Sequence, residues 1–570
     1  MGTTGGAGGI IGVGGITSGG SSFYCGNTQT DNSNCGICGH ACGVQQVCNG
    51  GACVSNCVQG QRLCVPDGGS PYCANTQTDN SNCGTCGHAC GVQQVCTNGT
   101  CASNCVQGQT LCAPDGGSSY CANMQTDNSN CGTCANTCGF QEMCAGGTCI
   151  DTCVPDVVAI GQGPGSGSGS PCALKGDGTL WCWGDNEYGQ LGDGTITGQS
   201  CQSQPCKPFP VRVTALGTNV VQAGVGFYHA CARKSDGTIW CWGDNEYGQL
   251  GDGTTNNSAS PVQVAALGTT VAGLAVGGYH TCAVKSDGTI WCWGNNSEGQ
   301  LGNGTMTSSP LPVQVTALGA SVTEAAAGAS TTCAVKSDGT LWCWGENTES
   351  ELGNGAVCPG GGMMPPDCPT PSPVQVSGLT GVIHVATGWD HTCAVTTGGM
   401  LFCWGSNEFG QLGYGGTGGA VGCQPFGNVA SCQPVPVYVA GLGASVVEVT
   451  ADLTHTCARK SDGTLWCWGD NGVGALGNGT LTGSATCQGG YGTGIQPECE
   501  PSPVQLTSLG NATTRIGAGG NCAVKTDRTL WCWGLNGAGD LGDGTTTGQS
   551  CAGGQSTCKP SPVEALVSCP

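Results

Sequence analysis

Residues 231–243 read Cys-Ala-Arg-Lys-Ser-Asp-Gly-Thr-Ile-Trp-Cys-Trp-Gly. Ser235-Asp236-Gly237 has the composition of a three-residue hairpin loop, with Gly237 free to take the left-handed bulge position. That register sets Cys231 opposite Cys241 and Ala232 opposite Trp240. Facing residues of an antiparallel pair lie about 4.5–5.5 Å apart, within disulfide reach. Side-chain alternation then places a cystine on one face of the hairpin and both tryptophans on the other. A sheet that is apolar on both faces needs a neighbour on each side.

The same text recurs along the chain. Trp-Cys-Trp-Gly stands at Trp181–Gly184, Trp240–Gly243, Trp291–Gly294, Trp342–Gly345, Trp466–Gly469 and Trp531–Gly534, and Phe402–Gly405 supplies a Phe-Cys-Trp-Gly copy. Most copies lead into Gly-x-Leu-Gly-x-Gly-Thr, as at Gly189–Thr195 and Gly248–Thr254. Spacings run from 51 to 65 residues. Repeats of this length with several short strands predict an all-β, seven-bladed propeller over residues 154–570. The ten-residue cysteine spacing predicts one cystine per blade: Cys172–Cys182, Cys231–Cys241, Cys282–Cys292, Cys333–Cys343, Cys393–Cys403, Cys457–Cys467 and Cys522–Cys532. The five long inter-unit loops carry further pairs, expected to be Cys201–Cys206, Cys358–Cys368, Cys423–Cys432, Cys487–Cys499 and Cys551–Cys558. Each closure removes about 2–3 kcal/mol of unfolded-chain entropy in the simplest model. Cys153 and Cys569 are left over, one before the first strand and one after the last, so a Cys153–Cys569 bond is expected to lock the ring.

Ahead of the propeller a different repeat runs at 48 residues, marked by Cys25, Cys73 and Cys121. Its units are 25–53, 57–101 and 105–149, a small, loop-dominated, disulfide-rich region spanning 25–153. The first unit lacks the equivalents of Cys57 and Cys64 together, which suggests Cys57–Cys64 and Cys105–Cys112 bonds. The connectivity of the other six cysteines in each unit stays open. The Cys-x-x-Cys steps (Cys35/Cys38, Cys83/Cys86, Cys131/Cys134) favour structural disulfides over zinc, because clean groups of four are missing. Asp31, Asp79 and Asp127 sit in Asp-Asn-Ser-Asn turns without the ligand ladder of a calcium loop. Residues 1–24, ten of them Gly, read as a flexible tether.

Composition narrows the function. The chain has 48 Cys in 570 residues, which argues for an oxidising compartment and an extracellular or cell-surface location. No export signal is visible within the chain, and one is expected upstream of Met1. Net charge is −22, with 14 Lys plus Arg against 36 Asp plus Glu, so a nucleic-acid partner is not expected. No apolar run is long enough for a transmembrane helix. A monomer without cofactor or metal is expected. His229, His280, His391 and His455 stand two residues before a hairpin cysteine and read as structural. Nothing forms a nucleophile–base–acid set, so catalysis is not expected.

Thirteen of the 14 Trp belong to the repeat motif, and Trp389 does not. It occupies a loop position held by Phe227 in blade two and Gly278 in blade three. Equivalent loops of a ring lie on one face, so Trp389, Asp390, Phe227, Tyr228 and Tyr279 form the candidate ligand-binding set. Burial of Trp389 against a neighbouring blade is the competing explanation.

The stretch Tyr279–Gly294 followed by Gly299-Gln-Leu-Gly302 resembles the repeats of the regulator of chromosome condensation family. That resemblance implies the seven-bladed fold. The family also includes a secreted bacterial inhibitor of β-lactamases, which binds protein through its loops. Its founding member exchanges guanine nucleotide on a small GTPase and binds chromatin, activities not expected here given the cystines and the missing basic tail. Residues 25–153 resemble, through Asn-Cys-Gly-x-Cys, the stigma-specific-protein-like repeats of secreted bacterial proteins. The leading expectation is a binding or adhesion module holding an extracellular protein partner, with the cysteine-rich units as a stalk. The alternatives are an inhibitor of an extracellular or periplasmic enzyme and a lectin-like binder of a glycan partner.

Overall fold

The computed structural model describes 156–161, 170–201, 204–357, 368–419, 431–487, 498–517, 520–551 and 556–567, and shorter stretches between 41 and 151. The chain divides into two compact units, Met1–Thr152 and Cys153–Pro570.

In the second unit the hairpin register is the expected one. Cys231 faces Cys241 and Ala232 faces Trp240. Asp236 shapes the turn: its carboxylate accepts the Thr238 N–H at 3.0 Å and the Thr238 hydroxyl at 2.7 Å, and the Thr238 hydroxyl accepts the Trp240 indole N–H. Lys234 lies over the Trp240 ring, 5.5 Å from its centroid. This Lys–Trp stack recurs in every blade but the fifth, where Thr396 replaces the lysine and Phe402 the tryptophan. A cation over an indole is favourable, so removing one partner removes the reason for the other.

Each hairpin forms the middle of a four-stranded antiparallel blade. In blade two the strands are Val220–Val225, His229–Lys234, Ile239–Gly243 and Ser258–Gln263, in spatial order. Seven such blades cover 157–212, 220–263, 271–314, 322–375, 382–438, 446–505 and 513–564. Blades one, six and seven gain a short fifth strand on the outer edge from their long loops.

The blades pack cystine face to tryptophan face. The Cys231–Cys241 side of blade two meets Trp293 of blade three, and the Cys172–Cys182 side of blade one meets Trp242. The buried indole N–H needs an acceptor, and the neighbouring blade supplies one. Trp242 donates to the Gln190 carbonyl, Trp293 to Gln249, Trp344 to Gln300, Trp404 to Glu351, Trp468 to Gln411 and Trp533 to Ala475, each at 2.8 Å. The indole rests on the last glycine of Gly-x-Leu-Gly. A Cβ at Gly302, where the turn sets φ at +65°, would lie 2.5 Å from the Trp344 nitrogen.

The ring closes by the same contact. Trp183 of blade one donates to the Asp540 carbonyl of blade seven at 3.0 Å. Val157, Ile160, Trp181 and Trp183 pack on Cys522, Leu530 and Leu541. The Val157 N–H reaches the Arg528 carbonyl at 3.2 Å, and Arg528 pairs with Asp156. No strand is exchanged between the two ends among the described residues. Cys153 and Cys569 lie outside the described residues.

All seven blade cystines form, as do Cys201–Cys206 and Cys487–Cys499. Cys368 and Cys432 are each disulfide-bonded, while Cys358 and Cys423 lie outside the described residues. The Cys551–Cys558 bond is a correction: both are buried thiols, hydrogen-bonded side by side. Their spacing lies between those of Cys201–Cys206 and Cys487–Cys499, which do bond, so loop length does not account for the difference; the Cys551 N–H is held by the Ser556 carbonyl at 3.0 Å.

The cysteine-rich unit brings a second correction. Cys57 bonds Cys73 and Cys64 bonds Cys86, not Cys57–Cys64; likewise Cys105 bonds Cys121 and Cys112 bonds Cys134, not Cys105–Cys112. In the hairpin Arg62–Cys64/Tyr72–Ala74, Leu63 faces Cys73, so Cys64 and Cys73 point to opposite sides. Cys64 turns inward to Cys86 and Cys73 outward to Cys57. Cys83–Cys96 and Cys90–Cys101 complete the second unit, so the Cys83/Cys86 step is split between two disulfides. Asp79 caps its own turn, accepting the Ser81 N–H at 2.9 Å and the Asn82 side-chain amide at 3.0 Å.

Gly302→Ala is expected to destabilise the propeller by about 2–4 kcal/mol, combining overpacking with left-handed strain. Gly319→Ala shares the positive φ, at +66° with ψ at −143°, but its Cβ meets open space, so it is expected to carry backbone strain alone and to cost less than Gly302→Ala. Urea unfolding of both variants measures the difference.

Candidate functional site

In blades two to six the loop between the first and second strand lies beside its counterpart in the next blade. Backbone hydrogen bonds link successive loops: Phe227 N–H to the Gly278 carbonyl, Gly278 to Gly328, Ala329 to Gly388 and Trp389 to Asp452, at 2.9–3.3 Å. Phe227 lies flat enough on blade three that a Cβ at Gly278 would meet its ring at 2.8 Å. Glycine at that position in blade three is therefore room for the blade-two ring.

Phe227 and Trp389 come from blades two and five, yet their ring centroids are 5.9 Å apart. Blades that are not adjacent can meet only across the axis. Phe227 also makes an edge contact with Tyr279 at 5.3 Å, and Tyr279 lies 6.2 Å from Tyr228. Four of the five candidates thus form one cluster. Trp389 is 43% exposed, so it is neither free nor lost in a blade interface.

Two rings extend the cluster. Tyr188 sits 5.1 Å from Tyr228, and Tyr247 sits 5.6 Å from Tyr279. Both follow Trp-Cys-Trp-Gly by a fixed spacing, in Asp-Asn-Glu-Tyr, and only blades one and two have tyrosine there. That restriction was the available signal. Burial, then the carboxylates Asp185, Glu187 and Asp244, raise the Tyr228 phenol above its ordinary value, so it stays a donor.

Asp390 does not join the rings. Its carboxylate gathers with those of Glu346 and Glu351, the oxygens all within 4.8 Å of one another. Burial first, then Glu346 and Glu408, push Asp390 up to about 8. Glu349 is likewise pushed up to about 8 by burial and by Asp390, Glu408 and Glu346.

The repeated histidines are structural. His229 Nε2 reaches the Thr281 hydroxyl at 3.0 Å, His280 the Thr332 hydroxyl and His391 the Thr456 hydroxyl at 2.8 Å, each one blade on. The Thr332 hydroxyl in turn donates to the Gln300 carbonyl, the same oxygen that accepts the Trp344 indole. A hydroxyl that has given its proton away must accept, so Nε2 carries the hydrogen. Burial holds all three imidazoles down to about 3, hence neutral.

The first strands surround a cavity of about 370 Å³ along the axis. Their third positions line it with Ala159, Gln222, Glu324, His384, Glu448 and Arg515. His384 Nδ1 stands 2.7 Å from Glu324, and Arg459 binds Glu448 at 2.8 Å. Burial opposes charge on His384, but the Glu324 hydrogen bond and charge outweigh it and raise its value.

Comparison with known proteins adds the family. Residues 177–233, 236–284, 287–335, 338–395 and 398–459 match the regulator of chromosome condensation (RCC1) repeat. A second model of the same repeat bridges these and extends to 475, so more than half the chain is matched without a gap. The chain belongs to the RCC1-repeat family. It is 29% identical over 384 residues to the ultraviolet-B receptor UVR8 of Arabidopsis thaliana, covering 66% of this chain and 77% of that protein. It is 30% identical over 324 residues to the human E3 ubiquitin-protein ligase HERC2, a match to 55% of this chain and 6% of the ligase. Among solved structures, yeast RCC1 (Prp20) bound to Kap60 superposes with a TM-score of 0.53 at 21% identity, covering 67% of this chain and 82% of that one. Prp20p of Saccharomyces cerevisiae, described with its binding to Gsp1p and histones, gives 0.54 at 20% identity, covering 69% and 86%. At these identities the likeness is one of fold. No helix among the described residues is long and apolar enough to cross a membrane.

The titrations pull in opposite directions. Glu349 and Asp390 hold protons in the fold that the unfolded chain releases, so they withdraw stability as pH rises from the carboxylate range through about 8. The three histidines, at about 3 folded against 6.5 unfolded, withdraw stability as pH falls from about 6.5 towards 3. In metal-free buffer, Asp390→Asn is expected to flatten the loss of stability between pH 6.5 and 8 and to leave the acid limb in place. Urea midpoints on both sides of that range measure both limbs.

Proposed function

We propose that this RCC1-repeat propeller is a binding protein, not an enzyme, and that it works outside the cell or at its surface. Its binding surface is the aromatic face built by Phe227, Tyr228, Tyr279 and Trp389 and widened by Tyr188 and Tyr247. The observation that carries this reading is the convergence of six rings from four blades into one chain of contacts. Rigid rings on linked loops bury large area with little loss of freedom, which is the make-up of interface hot spots.

A protein partner suits the face better than a small ligand, because the rings spread across blades instead of lining a pocket. Yeast RCC1 bound to Kap60, which superposes on this chain, is a propeller of this fold in a protein complex. The carboxylates around the tyrosines, Asp185, Glu187 and Asp244, favour a partner with exposed Lys or Arg. The extracellular setting is supported by the cystine in every blade, since reducing compartments do not sustain such bonds. Nucleotide exchange and nucleic-acid binding are not carried over from relatives, given a net charge of −22.

Capture from secreted and cell-envelope fractions, followed by affinity measurement on the captured protein, tests the proposal. Trp389→Ala and Phe227→Ala are each expected to weaken binding by about 30-fold, the scale of a hot-spot residue. Met306→Ala, at an exposed apolar position elsewhere on the propeller, is expected to leave it unchanged. Unchanged binding in both aromatic variants would remove this face as the site. Binding to a glycan array in place of protein would favour the lectin-like alternative.

A further inference from the structure

Blade four breaks the repeat at one spot. After Trp-Cys-Trp-Gly, blades one, two and three carry an acid or amide first and a Gln five residues on, and blade five keeps that Gln after Ser406. In blade two the Gln249 amide donates to Asp244 at 2.7 Å, and in blade three the Gln300 amide donates to Asn295 at 3.1 Å. Blade four has Glu346 and Glu351 at these two positions. An amide hydrogen bond has become a pair of carboxylates. Blade five adds a third, Asp390, where blades two and three have Tyr228 and Tyr279.

The three carboxylates offer oxygens within 4.8 Å of one another. Glu351 is 1% exposed. One of its oxygens accepts the Glu349 N–H at 2.9 Å, and the other, Oε1, is buried with no hydrogen-bond partner. An orphan carboxylate oxygen in the interior is costly unless a proton or a cation meets it. No Lys, Arg or His forms a salt bridge with Glu346, Glu349, Glu351 or Asp390 among the described residues. The charged groups that act on Asp390 are Glu346 and Glu408, and those that act on Glu351 are Glu346, Asp390 and Glu349, all acids.

We propose that Glu346, Glu351 and Asp390 form a divalent-cation site of the calcium type in the seam between blades four and five. The donor set is all carboxylate, which selects a hard cation over zinc or copper. Two oxygens on opposite sides of one calcium ion lie about 4.6–5.2 Å apart, so oxygens that all fall within 4.8 Å of one another are close enough to share one ion. Magnesium keeps several waters, and the enclosure of Glu351 leaves little room for them. The cation would tie blade four to the loop that carries Trp389, one residue before Asp390. The inference stands on the carboxylate geometry and does not depend on what the aromatic face binds.

Terbium(III) titration of the full chain tests it. Trp404 donates its indole N–H to the Glu351 carbonyl at 2.8 Å and is placed to sensitise a bound lanthanide. The expected result is a saturable terbium signal that calcium displaces and magnesium does not. Thermal unfolding in calcium should lie about 2 °C or more above that in chelator. Glu351→Gln restores the residue of blades one, two, three and five, so it should fold. It should lose terbium affinity by about 10-fold or more, lose the calcium shift, and in chelator unfold no lower than the parent. Asp390→Asn should show the same loss of affinity. The proposal is overturned if the parent chain shows no terbium or calcium response, or if both variants respond as the parent does.

Discussion

The propeller depends on one contact made seven times: a buried indole N–H given to a backbone carbonyl of the preceding blade, with the ring resting on a glycine. The hydrogen bond contributes about 1 kcal/mol net, but leaving that N–H unmatched inside the seam would cost more. The contact also fixes distance and angle between sheets. Trp183 and Asp540 use it to close the ring, so the closing seam is chemically like the other six. A circle built from one repeated joint needs no special lock, whatever Cys153 and Cys569 do.

The cystines serve a different end. Each joins the two central strands of a blade, between residues already in register, so it reinforces one sheet and leaves the seams to packing. Stability is then divided: disulfides hold blades, and indoles hold the ring. The His–Thr pairs belong to the second system, because threonine and tryptophan share one carbonyl. Burying neutral imidazoles there ties the seams to pH, while buried carboxylates in blades four and five tie them to it with opposite sign.

The candidate sites lie where the repeat is broken. Seven near-identical blades would present a uniform face. Phe227, Trp389, Tyr188 and Tyr247 each occupy a repeat position that most other blades fill differently, and ring geometry carries these exceptions to one place. Glu351 and Asp390 are exceptions of the same kind, gathered at the next seam. The motif accounts for the scaffold, and some departures from it, such as Gly278 beside Phe227, are scaffold too; the proposed partner and ion use the others.

Blade count, hairpin register, the seven blade cystines and the place of Trp389 outside the motif were legible in the residues alone. Those readings rest on local rules: a period of about 50 residues, alternation along a strand, and the short reach of a disulfide within a hairpin. Tertiary structure decided what depends on which side chains face each other across chain distance. The split of Cys57 and Cys64 between Cys73 and Cys86 follows from the inward and outward faces of a short hairpin. Cys551 and Cys558 meet as two thiols although their spacing lies between those of two loop pairs that do bond. Asp390, expected beside Trp389, turns away because adjacent loop residues point in different directions, one to the axis and the other into the seam. The meeting of Phe227 and Trp389 from blades two and five could be read only once the ring was closed.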